Sequence, residues 1–95
     1  MKAAPNSTVV HGILRSAEAA ADGFGGHVEI DVVDNASPDP ATDFLRPEPG
    51  KPLRAFYGAL DAATGKMVGR RVRAELTLNA GPSGGQAVVR DLVAD

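Results

Sequence analysis

Arg54 and Phe56 stand two residues apart in Leu53-Arg54-Ala55-Phe56-Tyr57, and Arg71 and Arg73 stand two apart in Arg71-Val72-Arg73. In an extended chain, residues two apart point to the same side, so each pair shares a face. A guanidinium matches the geometry of a phosphate, and an aromatic ring offers its face to an unpaired base. Arg54 with Phe56 is therefore the minimal stacking platform for a single strand of nucleic acid, and Arg71 with Arg73 would add phosphate contacts. The supply of rings is small: Phe24, Phe44, Phe56 and Tyr57 are the only aromatic residues of this type in the chain.

The other constellations fail on context. Gly81-Pro82-Ser83-Gly84-Gly85 matches the G-x-S-x-G pattern of a nucleophile elbow. That elbow needs a strand-to-helix turn and a histidine after the serine. Here both histidines, His11 and His27, precede Ser83, and proline among glycines is ordinary turn chemistry. Gly58 and Lys66 do not make a phosphate loop, because Gly58 and Gly65 are wrongly spaced and Met67 replaces the hydroxyl residue. His11, His27, Glu29 and Asp31 are ligand types for a divalent ion, but no tight motif joins them, and the last three alternate in a strand-like stretch, which is the pattern of a solvated face more than of a metal site. Asp34, Asp39 and Asp43 lack the spacing and the closing glutamate of a calcium loop. No nucleophile, base and orienting group come together, so the sequence points away from an enzyme and implies no cofactor and no metal.

The chain of 95 residues is long enough for one domain. Leu, Ile, Val and Phe supply 22 of those residues, just above the roughly 20% level below which disorder is expected. The core is therefore small, and self-association would supplement it. There is no cysteine, which fits a reducing compartment. No apolar run approaches the ~18 residues of a membrane span, and the first residues lack the apolar segment of a signal peptide. A cytoplasmic chain with no membrane partner is the expectation. The net charge of −2 argues against strong electrostatic binding of nucleic acid. The charge is uneven, however: residues 1–48 sum to −5 and residues 49–95 to +3. The C-terminal half would thus carry a basic face, or the two halves would pair across strands.

Five strands are expected. Residues 1–7, with Pro5, Asn6 and Ser7, read as a loose tail, and residues 8–95 as a single domain. The first strand, 8–15, is apolar on both parities, with Gly12 at a bulge or bend. Residues 16–26 are alanine-rich but too few for an independent helix, and read as a loop with at most one helical turn. The second strand, 27–33, turns Val28, Ile30 and Val32 inward and His27, Glu29 and Asp31 outward. Residues 34–52 hold five of the seven prolines. This excludes a central strand there and leaves a long loop, pinned to the domain by Phe44 and Leu45. The third strand, 53–57, turns Leu53, Ala55 and Tyr57 inward. Residues 58–66 form either one short helix ending at Gly65 or a wide turn. The fourth strand, 68–79, alternates cleanly: Val72, Ala74, Leu76 and Leu78 face one way, and Arg71, Arg73, Glu75, Thr77 and Asn79 the other. Residues 79–85 read as a turn too rich in glycine for a regular element, and 86–93 as the fifth strand.

The fold class is therefore all-β, a small five-stranded barrel with the short helix, if formed, between strands three and four. Two stretches carry a resemblance. Val9-Val10-His11-Gly12-Ile13-Leu14 is a first strand with a mid-strand glycine. Lys66-Met67-Val68-Gly69-Arg70-Arg71-Val72-Arg73-Ala74 leads into strand four with a glycine, two residues and a valine. Over residues 8–93 this order resembles the oligonucleotide/oligosaccharide-binding (OB) fold; an SH3-like barrel shares parts of the pattern. The resemblance implies ligand binding on strands two and three and their flanking loops. That would place Arg54 and Phe56 on the ligand face, opposed by Glu29 and Asp31, and strand four with Arg71 and Arg73 beside strand one. The expected function is weak single-stranded nucleic-acid binding. The alternative is a protein-interaction or self-association module that uses an edge strand or the proline-rich loop.

Overall fold

The computed structural model describes residues 5–81 and 84–95. Its elements are β1 (Thr8–Ala19), β2 (Gly26–Asn35), β3 (Pro52–Tyr57), α1 (Ala62–Lys66), β4 (Arg71–Gly81) and β5 (Gly84–Ala94). The strands close into a barrel in the order β1-β2-β3-β5-β4, with β4 returning to β1. Every neighbouring pair is antiparallel except β3 with β5, which is parallel. This closed five-stranded barrel, with one short helix between β3 and β4, is consistent with an OB-like fold.

Alternation builds the core. Val28, Ile30 and Val32 from β2 and Val72, Ala74 and Leu76 from β4 all point inward and are buried. Val10 and Leu14 of β1, Ala55 of β3, and Val89 and Leu92 of β5 complete the interior. The first strand is apolar on both faces because both are covered. Val10 and Leu14 enter the barrel, while Val9 is buried on the other side, where Ser37 Oγ accepts its N–H at 3.1 Å.

Gly12 sits at a break in register between β1 and β2. A Cβ there would run into the carbonyl oxygen of Asp31 and approach Ile30 Cγ2 at 2.7 Å. Glycine is thus required by the close approach of the two strands where β1 bends.

Three expectations about the strands are corrected. The alanine-rich stretch after Arg15 is strand: Ala17, Glu18 and Ala19 pair with Val28, His27 and Gly26. Helix propensity over so short a run is outweighed by ladder hydrogen bonds to a preformed neighbour. The glycine-rich stretch 79–85 is also largely strand, since Asn79, Ala80 and Gly81 pair with Gln86, Gly85 and Gly84. Residues 82–83 lie outside the described residues, and with them the Ser83 of the G-x-S-x-G pattern. Strand four begins at Arg71, because Met67 to Arg70 form a turn in which Gly69 takes φ +87°.

The short helix is fixed by its ends. Asp61 caps it, accepting the Thr64 N–H at 3.1 Å, while Thr64 Oγ1 accepts the Asp61 N–H at 3.1 Å. This reciprocal box satisfies donors that five residues of helix cannot. The helix runs one residue past the expected Gly65.

The long connection between β2 and β3 is pinned, but not by Phe44. That side chain is 39% exposed. Leu45 packs against the core, and the buried Asp43 makes the stronger tie. Asp43 accepts hydrogen bonds from Thr8 Oγ1 at 2.7 Å, Asn35 Nδ2 at 2.8 Å and the Arg46 N–H at 2.9 Å. Three directional hydrogen bonds fix the buried carboxylate, whereas a substantially exposed ring gains little from burial, so the polar residue holds the loop. The N-terminal stretch is tethered too. Asn6 receives the Leu78 N–H at 2.6 Å and donates to the Leu78 carbonyl at 3.0 Å. It thereby extends the β1–β4 ladder with a side-chain amide.

Candidate nucleic-acid interface

Arg54 and Phe56 lie on the outer face of β3, as their parity requires, since Ala55 between them is buried. Phe56 pairs with His27 of β2 on one side and Val88 of β5 on the other. Its ring meets the His27 ring edge-on, with centroids 5.7 Å apart and planes at 76°. The edge-to-face contact favours this orientation of the phenyl group, which is half-buried. The hydrogen bonds of the proline-rich connection are made away from Phe56. That segment lies against the start of β1, through Thr8, Val9 and Ser7.

The β3–β5 pairing is short. Phe56 with Val88 and Tyr57 with Val89 are its register pairs. Ahead of them the two parallel strands part, and a surface pocket of about 230 Å³ opens at the seam. His27, Arg54, Ala55, Phe56, Gly85, Gln86 and Ala87 line it. A ring, a cation and an amide thus border one recess.

One acid of the β2 outer face is charge-compensated. Asp31 is paired with Arg15 Nε at 3.1 Å. Glu29 stands opposite Arg54 in the ladder, and the two make no ion pair within 4 Å among the described residues. Glu18 stands opposite His27.

Arg71 and Arg73 do not join this face. In β4 the residue opposite Val88, and so nearest Phe56 across β5, is Thr77. Arg73 lies four residues further along, roughly 13 Å, and pairs with His11 of β1. Arg71 is engaged: its Nε lies 3.1 Å from Asp95 Oδ2, which also meets His11 Nδ1 at 2.5 Å. Hydrogen bonds from His11 and Arg71 hold the Asp95 carboxyl below the usual range. The four candidates therefore divide into Arg54 and Phe56 on one side of the barrel and Arg71 and Arg73 on another.

Among the described residues, no group of three or more histidine, aspartate or glutamate side chains is placed to hold a metal ion, and no helix is long and apolar enough to cross a membrane. Sequence reasoning missed three neighbours of the site: His27 as the support of Phe56, Gln86 on the pocket wall, and Arg15 as the partner of Asp31. Only the strand register brings them there. Alternation had put His27 on the outer face, but nothing in the order of residues said that it would stand opposite Phe56. Comparison with protein-family models, with curated proteins and with solved structures finds no match to this chain.

Proposed function

We propose that this barrel belongs to the OB superfamily and binds single-stranded nucleic acid weakly, on the outer face of β2, β3 and the start of β5. The observation that carries this reading is the Phe56 ring, steadied edge-on by His27 and set beside Arg54 at the mouth of the seam pocket. OB-like barrels take oligonucleotides on the equivalent strands and loops, which supports the reading by analogy of fold. An outward ring supplies sequence-tolerant stacking, and one guanidinium supplies a phosphate contact. With Arg54 the one cation among the residues that line the pocket and acids nearby, affinity should lie at the weak end of the roughly 10⁻⁴–10⁻⁶ M range of non-specific binding.

A chemical-shift titration with a short single-stranded oligonucleotide tests this directly. Shifts should concentrate on residues 27, 54–56 and 85–87, and Phe56→Ala should cost about 1–3 kcal/mol of binding. Affinity should fall as salt rises, with a shallow slope reflecting few phosphate contacts. Binding indifferent to both Phe56→Ala and salt would rule out the stacking reading. A second reading, a protein-interaction module, rests on the exposed Phe44 of the proline-rich connection. It takes precedence if no oligonucleotide binds at low salt.

A further inference from the structure

Phe24 is the most exposed large apolar side chain among the described residues, at 78%. It sits in the turn between β1 and β2. A phenyl group in water forgoes the stabilisation that burial would give it, and isolated exposed apolar residues usually need no explanation. Two features set this one apart.

The turn that carries Phe24 is internally tied. Ala20 N–H donates to the Gly25 carbonyl at 2.9 Å and Gly23 N–H to the Ala20 carbonyl at 3.0 Å. The Phe24 N–H itself donates to Asp22 Oδ1 at 3.0 Å. Gly23 and Gly25 on either side take φ of +81° and +65°, a conformation that favours glycine. Local hydrogen bonds and backbone geometry together fix the backbone from which the ring projects.

The turn also abuts the candidate site. A Cβ placed on Gly25 would stand 3.0 Å from Phe56 Cζ and 2.7 Å from the Tyr57 carbonyl oxygen. Consecutive Cα atoms are about 3.8 Å apart, so the Cα of Phe24 lies within roughly 8 Å of the Phe56 ring. The turn that carries Phe24 is thus adjacent to the Phe56 end of β3, with Arg54 and the seam pocket further along that strand.

We propose that Phe24 is a second stacking residue, so that the face takes two neighbouring nucleotides of an unpaired strand, one base on each ring. The occupant is a single strand of nucleic acid because the turn of Phe24 abuts the strand end that carries Phe56, with Arg54 two residues away, and a flexible strand can meet two rings that are not coplanar. Base identity matters little, since every base has a stacking face. This inference rests on the function proposed above.

The test uses a thymidine hexanucleotide at low salt against the wild-type chain, Phe24→Ala, Phe56→Ala and Phe24→Trp. Phe24→Ala should weaken binding by about 5- to 150-fold, the equivalent of one stacked base, with an unchanged melting temperature. Phe24→Trp should retain affinity. The chain contains no tryptophan, so the introduced indole is a sole reporter and its fluorescence should be quenched by the oligonucleotide. This second readout stands even if Phe24→Ala fails to fold. Binding that Phe56→Ala weakens and Phe24→Ala does not, or an indole left unquenched by a bound strand, overturns the role of Phe24 and leaves the proposed function intact. No binding by the wild type overturns both. A wild-type dimer that Phe24→Ala converts to monomer assigns the ring to self-association and overturns the inference.

Discussion

Leu76 and Gly12 show how differently single residues constrain this barrel. Leu76 is fully buried on β4, between Thr8 of β1 and Val89 of β5 in the ladders. Its loss removes apolar contact and leaves a cavity, so Leu76→Ala should destabilise by about 2–5 kcal/mol. A urea midpoint that falls with an unchanged slope would report this as a change in stability alone, whereas an unchanged melt would contradict the register. Gly12 contributes by what it lacks. The missing Cβ lets β1 approach the Asp31 carbonyl and Ile30. Gly12→Ala must displace backbone at that bend, and overpacking of this kind typically costs about 1–3 kcal/mol. The same denaturation measurement checks it.

Among the elements, the proline-rich connection depends most on one polar group. Burial works to raise the Asp43 pKa, but hydrogen bonds from Asn35, Thr8, the Arg46 amide and Ser37 outweigh it, and the carboxyl lies below its ordinary value. A depressed folded-state pKa means that the stabilisation is present above the unfolded-state value and is lost as pH falls through the folded-state value. Stability should therefore decline in acid, from about pH 4 downward, and Asp43→Asn should flatten that part of the profile. Amide hydrogen exchange across residues 36–51 should accelerate in Asp43→Ala, while the β4–β5 ladder stays protected. Phe44→Ser, by contrast, should leave the connection ordered, because its ring is substantially exposed. If Phe44→Ser loosens the segment as much as Asp43→Ala does, the polar tie is not what holds it.

At the scale of the whole molecule, barrel closure distributes the cations. β3 neighbours β2 and β5, and β4 neighbours β1 and β5, so no flat patch collects Arg54, Arg71 and Arg73. Under the proposed function, Arg54→Gln should weaken oligonucleotide binding and reduce its salt dependence by about one phosphate contact. Arg73→Gln should change neither. Fluorescence anisotropy with a labelled single strand over a salt series separates the two. Equal losses from both substitutions would mean that the ligand wraps the barrel rather than crossing one face.

The sequence by itself determined most of the elements and their inner faces. Alternation at residues 28–32 and 72–76 marked which side chains enter the core, because a two-residue period leaves a half-buried strand no other choice; Leu78, next in the same alternation, is only half-buried. Asp43 was visible only as one acid among several, since its value comes from Thr8 and Asn35, brought to it by the β1–β2 register. Ala17 to Ala19 read as weakly helical because propensity is local, while the ladder with residues 26–28 that makes them strand is not. Arg54 and Phe56 could be assigned to one face from parity alone. Their neighbours His27 and Gln86, and the separation of Arg71 and Arg73 from that face, depended on which strands meet and in what register. That choice is made by closure of the barrel around its core, and tertiary structure alone decides it.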